Sequence, residues 1–381
     1  ARDPPSLITK SIIVRSPMSV PSETCVLPLL ADPAGYHACQ WDLRESDERR
    51  VYWLHHFGKQ FQSLLAEAAR AEMSLSVSEQ DATRRADAAR ATFDAYLKKL
   101  LADPRALGRL DILTICIERE RILREQGFAD PYLLVKQREN AAALKLLPAH
   151  LAELDALASP QLEQRIVEGV FAGNIFDVGA LATLAIFEAG AMSFHDTRAK
   201  LKARPWLFDD LDKWLERMRT GKPHKAALIF ADNAGFDVVM GILPLARSLL
   251  KCGTGVILAA NTTPSLNDIT AAELREMVTH VSEWDAIIGD AFRGGDLEII
   301  ASGCGTPLID LSRVSNELAE ACERRGVDLV VLEGMGRAVE SNIHVPFTCD
   351  AIKIALIKDL GVATAFGGQM YDQVFKYEQR A

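Results

Sequence analysis

Three oxygen-bearing side chains frame the chemistry open to this chain. Asp232 and Asn233 follow the apolar run Ala226-Ala227-Leu228-Ile229-Phe230-Ala231, and Asp268 lies 36 residues beyond Asp232, behind a second apolar run, Gly255–Ala260. Two carboxylates and one carboxamide oxygen suit a hard divalent cation such as Mg²⁺ or Mn²⁺. Such ions take oxygen ligands and keep other positions for water or substrate phosphate. The plainer account is that Asp232-Asn233 and Asn267-Asp268 are ordinary loop and helix-capping residues, and both accounts stay open at this point.

A third loop, Glu333-Gly334-Met335-Gly336-Arg337, follows the apolar run Leu329–Leu332. Glycines placed after a strand let backbone N–H groups approach an anion, and an arginine adds a two-pronged donor for phosphate. A tight turn with a solvated arginine is the alternative. Val339 stands where a dinucleotide fingerprint wants its third glycine. Lys353 and Lys358 lie in the apolar stretch Ala351–Lys358, where a lysine is either paired or snorkelling. Gly173-Asn174-Ile175-Phe176-Asp177 is further polar punctuation: Asn174 and Asp177 either cap a helix or close the site from the helical side.

Several other chemistries fail on spacing. The residue six beyond Cys304 is Asp310, which breaks the Cys-x₅-Arg of a cysteine phosphatase, and Ala234 removes the second carboxylate of an Asp-x-Asp pair. There is no Gly-x-Ser-x-Gly elbow, no His-Glu-x-x-His and no P-loop. His55-His56 is expected on a solvated helix face. The seven cysteines include no Cys-x-x-Cys pair, so free thiols in a cytoplasmic setting are expected.

These loops need elements to hold them. Apolar residues make up 49% of the 381, charged residues 25%, and the formal net charge is −9. That balance argues against a nucleic-acid partner. No apolar run is long enough to span a membrane. A small phosphorylated metabolite remains compatible, because a cation and local arginines can offset its charge.

Residues 1–40 hold six of the sixteen prolines and are expected to be an extended linker. The chain opens at Ala1-Arg2 without Met, which suggests a piece of a longer protein. Residues 41–222 carry helical periodicity, as in Leu54, Phe57, Phe61, Leu64 and Ala68. Residues 223–381 alternate short apolar runs with helical stretches, the pattern of parallel βαβ units. The expected architecture is an all-helical N-terminal domain followed by a Rossmann-like three-layer α/β/α domain with a mostly parallel sheet. Its ligand-bearing loops lie at the carboxyl ends of the strands.

In combination, Phe230-Ala231-Asp232-Asn233-Ala234-Gly235, Leu266-Asn267-Asp268 and Glu333-Gly334-Met335-Gly336-Arg337 resemble the metal-dependent damage-control phosphatase family. The last motif is similar to that of its subfamily II, which includes the C-terminal domain of pantothenate kinase 4 and stand-alone plant relatives. The resemblance implies a divalent metal (Mg²⁺, Mn²⁺, Co²⁺ or Ni²⁺) held by Asp232, Asn233 and Asp268. It implies hydrolysis of 4′-phosphopantetheine or its oxidised derivatives, ahead of coenzyme A synthesis. It also admits fusion to a pantothenate-kinase-like domain, and a homo-oligomer.

On that footing Asn261, Thr262, Glu333, Gly334, Met335, Gly336, Arg337 and Lys353 are the expected phosphate- and substrate-binding residues. Asp232 is either nucleophile or metal ligand only, with metal-activated water the preferred attacking group. Two other readings are carried: an S-adenosylmethionine-dependent methyltransferase, from the Gly-x-Gly after a strand, and a catalytically idle regulatory domain of a kinase.

Overall fold

A computed structural model of the chain describes residues 23–39, 41–176 and 194–380. The helical half begins where the period of the sequence changes. Helix α1 (Asp47–Ser74) starts behind Ser46, whose side chain accepts from the Arg49 N–H, with Asp47 and Glu48 in the first turn. The expected face is buried at Leu54, Phe57, Phe61, Leu64 and Ala68. Helix α2 (Glu79–Ala102) is capped by Ser78 and stops at Asp103, before Pro104. Phe61 and Phe93 join the two helices, with ring centroids 4.4 Å apart.

Helix α3 (Ile112–Glu125) opens on a capping box between Asp111 and Thr114. Helix α4 (Leu133–Asp155) runs unbroken through Pro148. It begins two residues after Pro131, and the Asp130 carboxylate pairs with the buried Lys136 at 2.8 Å. Helices α5 (Gln161–Phe176), α6 (Phe194–Ala199) and α7 (Leu211–Thr220) complete this half.

The chain then alternates strand and helix. In order come β3 (Ala226–Phe230), a π-helical turn over Asp237–Ile242, α8 (Leu243–Lys251), β4 (Gly255–Ala260), α9 (Ala271–Val281), α10 (Ala286–Gly294) and β5 (Leu297–Ala301). After these follow α11 (Asn316–Arg325), β7 (Leu329–Glu333), a second π-helical turn over Met335–Glu340, β8 (Asp350–Leu356), α12 (Leu360–Ala365) and β9 (Gln373–Glu378). Two short strands, β1 (Thr24–Cys25) and β6 (Val314–Ser315), pair with each other. Another, β2 (Phe208–Asp209), joins the edge of the main sheet.

That sheet has seven strands in the order β2-β9-β8-β7-β3-β4-β5, and all its pairings are parallel except β8 with β9. Its central strands are buried on both faces, so they read as continuous apolar runs rather than alternating ones. Leu228 and Phe230 join one core with α1, α2, α3 and α11. Ala227 and Ile229 point the other way, into a core with α4, α5, α8 and α9. The fold is therefore the expected mixed α/β class, with a helical N-terminal region and a mostly parallel sheet.

Among the described residues no helix is long and apolar enough to cross a membrane. All seven cysteines are free thiols. One topological fact positions everything that follows. β4 lies on one side of β3 and β7 on the other, so the loops after these three strands flank the point where strand order reverses. Open α/β sheets bind their ligands at that point.

Candidate active site

The loops after β3 and β4 are stitched together by backbone hydrogen bonds. Ala234 N–H donates to Asn267 O at 3.0 Å, Ile269 N–H to Asp232 O at 3.0 Å and Asn261 N–H to Ile269 O at 3.1 Å. Asn233 and Asp268 face each other across an antiparallel bridge. This pairing brings residues 36 positions apart in sequence to one spot, and it satisfies buried backbone groups that a plain loop would leave unpaired.

Arg337 lies beneath them, 2% exposed. Its Nη1 contacts Asp232 Oδ1, and its Nη2 donates to Asp268 Oδ2 at 2.9 Å and to Asn261 Oδ1 at 3.1 Å. Asn261 Nδ2 in turn donates to Asp268 Oδ2 at 2.8 Å. Despite full burial, the charges of Asp268 and Asp232 hold the guanidinium proton more tightly than usual. Arg337 is thus no solvated turn residue. It is the buried counter-charge of two carboxylates.

A second grouping shares Asp232. Asp232, Asp237 and Glu333 each bring one carboxylate oxygen within 4.8 Å of the others, and all three are buried. Asn233 Nδ2 donates to Asp232 Oδ2 at 2.8 Å and to Asp237 Oδ2 at 2.9 Å. Asn174, on α5, donates to Asp237 Oδ2 at 2.8 Å and to Glu333 Oε1 at 3.1 Å. Glu333 Oε2 accepts the Asp232 N–H at 2.9 Å. Burial, then the nearby charges of Asp237 and Asp232, push the Glu333 carboxyl well above the usual carboxylate range.

Three buried carboxylates in one spot are costly unless a cation or protons offset them. The donor set, hard oxygens only, is the kind that Mg²⁺ or Mn²⁺ takes. Among the described residues, Asn174 Oδ1 is also buried with no hydrogen-bond partner. The residues present therefore fit a divalent cation.

Gly334 is needed here for a different reason from an anion cradle. Its backbone has φ 95° and ψ 153°, a region that essentially only glycine enters. A Cβ would sit 2.2 Å from Asp232 Oδ2. Its own N–H donates to Ile354 O at 3.0 Å, so it stays in the sheet and does not face a ligand. Gly334→Ala is expected to destabilise the protein by roughly 3 kcal/mol, combining backbone strain with displacement of Asp232. Chemical denaturation tests this, and a midpoint equal to wild type would remove the steric account.

A cleft of about 510 Å³ opens onto these groups. Its polar end holds Asp232, Asn233 and Asp268, and its walls include Trp53 and Phe57 of α1, Ile112 of α3 and Met335. The helical half thus supplies an apolar wall opposite the acidic end. A hollow of similar volume, about 540 Å³, opens at the amino ends of β3 and β4 beside Lys225 and Thr254. None of the candidate site residues lines it.

The structure brings Asp232, Asn233, Asp268, Asn261, Glu333, Gly334, Met335, Gly336, Arg337 and Asn174 to this region. It takes Lys353 elsewhere: Nζ donates to Ile343 O at 3.1 Å, Val345 O at 2.7 Å and Glu378 Oε2 at 2.5 Å. The lysine is paired rather than snorkelling, and it does not point at the cleft. Thr262 Oγ1 accepts the Gly303 N–H at 2.9 Å and so ties its loop to the one after β5. Asp177 lies outside the described residues. His56, expected on a solvated face, is half-buried and lines the cleft, where burial lowers its pKa.

Sequence reasoning missed Asp237. Its signal was a lone carboxylate five residues after Asp232, opening the otherwise apolar run Val238-Val239-Met240. It also missed a buried pair on α3. Glu120 accepts from Arg119 Nη2 at 2.7 Å and from Ser265 Oγ at 2.9 Å, which ties α3 to the Asp268 loop.

The chain and its fold have counterparts among known proteins. The model of the damage-control phosphatase ARMT1-like domain matches residues 59–374. The chain is 40% identical to pantothenate kinase 2 of Arabidopsis thaliana, over 93% of this chain and 42% of that protein. It is 35% identical to the mouse (Mus musculus) 4′-phosphopantetheine phosphatase, over 92% of this chain and 48% of that protein. It is 38% identical to damage-control phosphatase At2g17340 of Arabidopsis thaliana, over 95% and 99%. The chain therefore spans about half the length of the first two and nearly all of the third. A solved DUF89 family protein from Pyrococcus horikoshii shares the fold, with a TM-score of 0.58 at 17% identity, covering 86% of this chain and 96% of that one.

Proposed function

The chain belongs to the ARMT1-like damage-control phosphatase family, and from that premise we propose that it is a metal-dependent phosphomonoesterase acting on 4′-phosphopantetheine or its oxidised derivatives. The observation that carries the proposal is the buried acidic end of the cleft, set at the switch point of the sheet with Asp232 shared by both groupings. The substrate follows the activity for which the mouse relative, at 35% identity, is named. The apolar wall of Trp53, Phe57 and Ile112 suits the arm of such a molecule. The proposal needs no attached kinase domain, because the chain spans 99% of one damage-control phosphatase. A cytoplasmic setting belongs to the same proposal, as the place where damaged precursors are removed before coenzyme A synthesis.

In this reading Asp232, Asn233 and Asp268 hold the cation, with Asp237 and Glu333 behind Asp232. When bound, the cation supplies Lewis-acid stabilisation of the phosphoryl oxygens and a more acidic water. The chain's own residues do the rest. Arg337 offsets the charge of Asp232 and Asp268 and holds both in place. Asn261 fixes Asp268, and Asn233 bridges Asp232 and Asp237. The helical wall shields the ester from bulk water, which strengthens every charge interaction in the cleft. Lys353 is left out, since its ammonium is held at Glu378.

A phosphate-release screen tests the proposal, crossing Mg²⁺, Mn²⁺, Co²⁺ and Ni²⁺ with 4′-phosphopantetheine, its oxidised forms, sugar phosphates and p-nitrophenyl phosphate. Release that requires a metal and is fastest with the pantetheine esters is expected. No release with any pair would sink the proposal. The methyltransferase reading is not carried forward, because the family is a phosphatase family.

A further inference from the structure

Glu340 ends the second π-helical turn, three residues beyond Arg337. It is 7% exposed, and it lines the cleft together with Gly336, Met335 and Asp232. Among the described residues no hydrogen bond reaches its carboxyl. A buried carboxyl that faces a cleft without a partner is expensive to ionise. Nothing described so far gives it a task.

The groups facing it decide which form it takes. Asp359 caps α12, and its carboxylate is fixed by the Val362 N–H at 3.0 Å and the Tyr52 hydroxyl of α1 at 2.8 Å. Asp232 faces it from the loop after β3, and Lys358 from the loop after β8. Tyr52, Cys39 and Cys116 of α3 are the other titratable groups within its field. Burial contributes most, then Asp359, then Asp232, and Lys358 opposes them, so the carboxyl is pushed up to about 8. The two largest of these, burial and Asp359, do not involve the proposed cation ligands.

We propose that Glu340 is a catalytic proton donor, giving its proton to the ester oxygen of the substrate as the phosphorus–oxygen bond breaks. The inference rests on the phosphomonoesterase reading above. The oxygen of water forms the new bond to phosphorus, and the ester bond breaks with its electron pair on the leaving oxygen. That oxygen takes the Glu340 proton and departs as an alcohol. One proton of the water goes to solvent as phosphate forms, and the Glu340 carboxylate is reprotonated from solvent. A primary alcohol leaves poorly as an alkoxide, so a positioned acid matters most for such a substrate.

The test compares 4′-phosphopantetheine, whose leaving group is an alkoxide, with p-nitrophenyl phosphate, whose leaving group needs little help. Wild-type release from both in the presence of metal is the control for the phosphatase reading, and its absence sinks both proposals. Given that control, Glu340→Gln is expected to lower the ratio of kcat/KM for the alkyl over the nitrophenyl ester by about 100-fold. An unchanged ratio overturns this inference alone.

Wild-type pH profiles decide the matter independently of how the variant folds. The protonated form is the active one, so kcat/KM for the alkyl ester should fall as pH rises through about 8, with a weaker fall for the nitrophenyl ester. Identical alkaline limbs overturn the inference. Infrared difference spectra of metal-free wild type against Glu340→Gln should show a protonated carboxyl at neutral pH, and a carboxylate band there overturns it too.

Discussion

Asp232→Asn is expected to lower kcat/KM for metal-dependent phosphate release by about 10³-fold, since Lewis-acid stabilisation is worth several kcal/mol and each 1.36 kcal/mol is tenfold. The substitution nearly preserves shape and removes one charge. At present Asp232 Oδ1 meets Arg337 Nη1 and Oδ2 accepts from Asn233 Nδ2. An asparagine would turn its own NH₂ toward one of these two donors. Both the charge that attracts the cation and the oxygen that ligates it would be lost on one side.

Stability of the metal-free protein should fall far less than turnover, because Arg337 keeps Asp268 and Asn261 as partners. That split separates a ligand from a structural residue. Near-wild-type turnover at saturating metal would show Asp232 to be dispensable. The companion variants discriminate the two groupings. If Asp268→Asn matches Asp232→Asn, the cation sits between those two. If Asp237→Asn matches it instead, the buried trio holds the ion. A residue that only orients a ligand should cost about 10- to 100-fold.

The two halves of the fold were unequally legible. The central strands were readable because a parallel strand covered on both faces becomes an uninterrupted apolar run, and Gly255–Ala260 is a strand over that whole range. β9 was not readable. Its residues, Gln373-Val374-Phe375-Lys376-Tyr377-Glu378, mix polar and apolar side chains, because it lies between the two-residue edge strand β2 and β8 rather than in the apolar centre of the sheet. The stretch containing Lys353 reads as apolar but not as a strand. A lysine with 0% exposure makes sense only once Glu378 of β9 lies alongside it, and local sequence does not show such a cross-strand pair.

In the site, the residues at strand ends were found because polar residues after apolar runs have a fixed meaning in open sheets. Asp237 was hidden because it opens an apolar helical turn and reads as a helix residue. For Arg337 the sequence leaves two settings open, a phosphate donor or a solvated turn residue. Glycine-flanked arginines suggest exposure, whereas here the turn folds inward because Gly334 leaves room for the Asp232 carboxylate.

That inward turn underlies the other large expected effect. Arg337→Met should cost about 3–5 kcal/mol of stability in the presence of a chelator, the usual consequence of stranding buried charges. Asp232 and Asp268 would lose the buried counter-charge that both now contact. Arg337→Lys keeps the charge but not the fork that reaches Asp232, Asp268 and Asn261 at once, and should fall between. If the carboxylates exist to hold a metal, Mg²⁺ or Mn²⁺ should recover much of the loss in Arg337→Met and raise the denaturation midpoint more than it does in wild type. A loss of equal size with metal and with chelator would mean that Arg337 merely packs the core, and that the acidic pair it grips does not serve as a cation site.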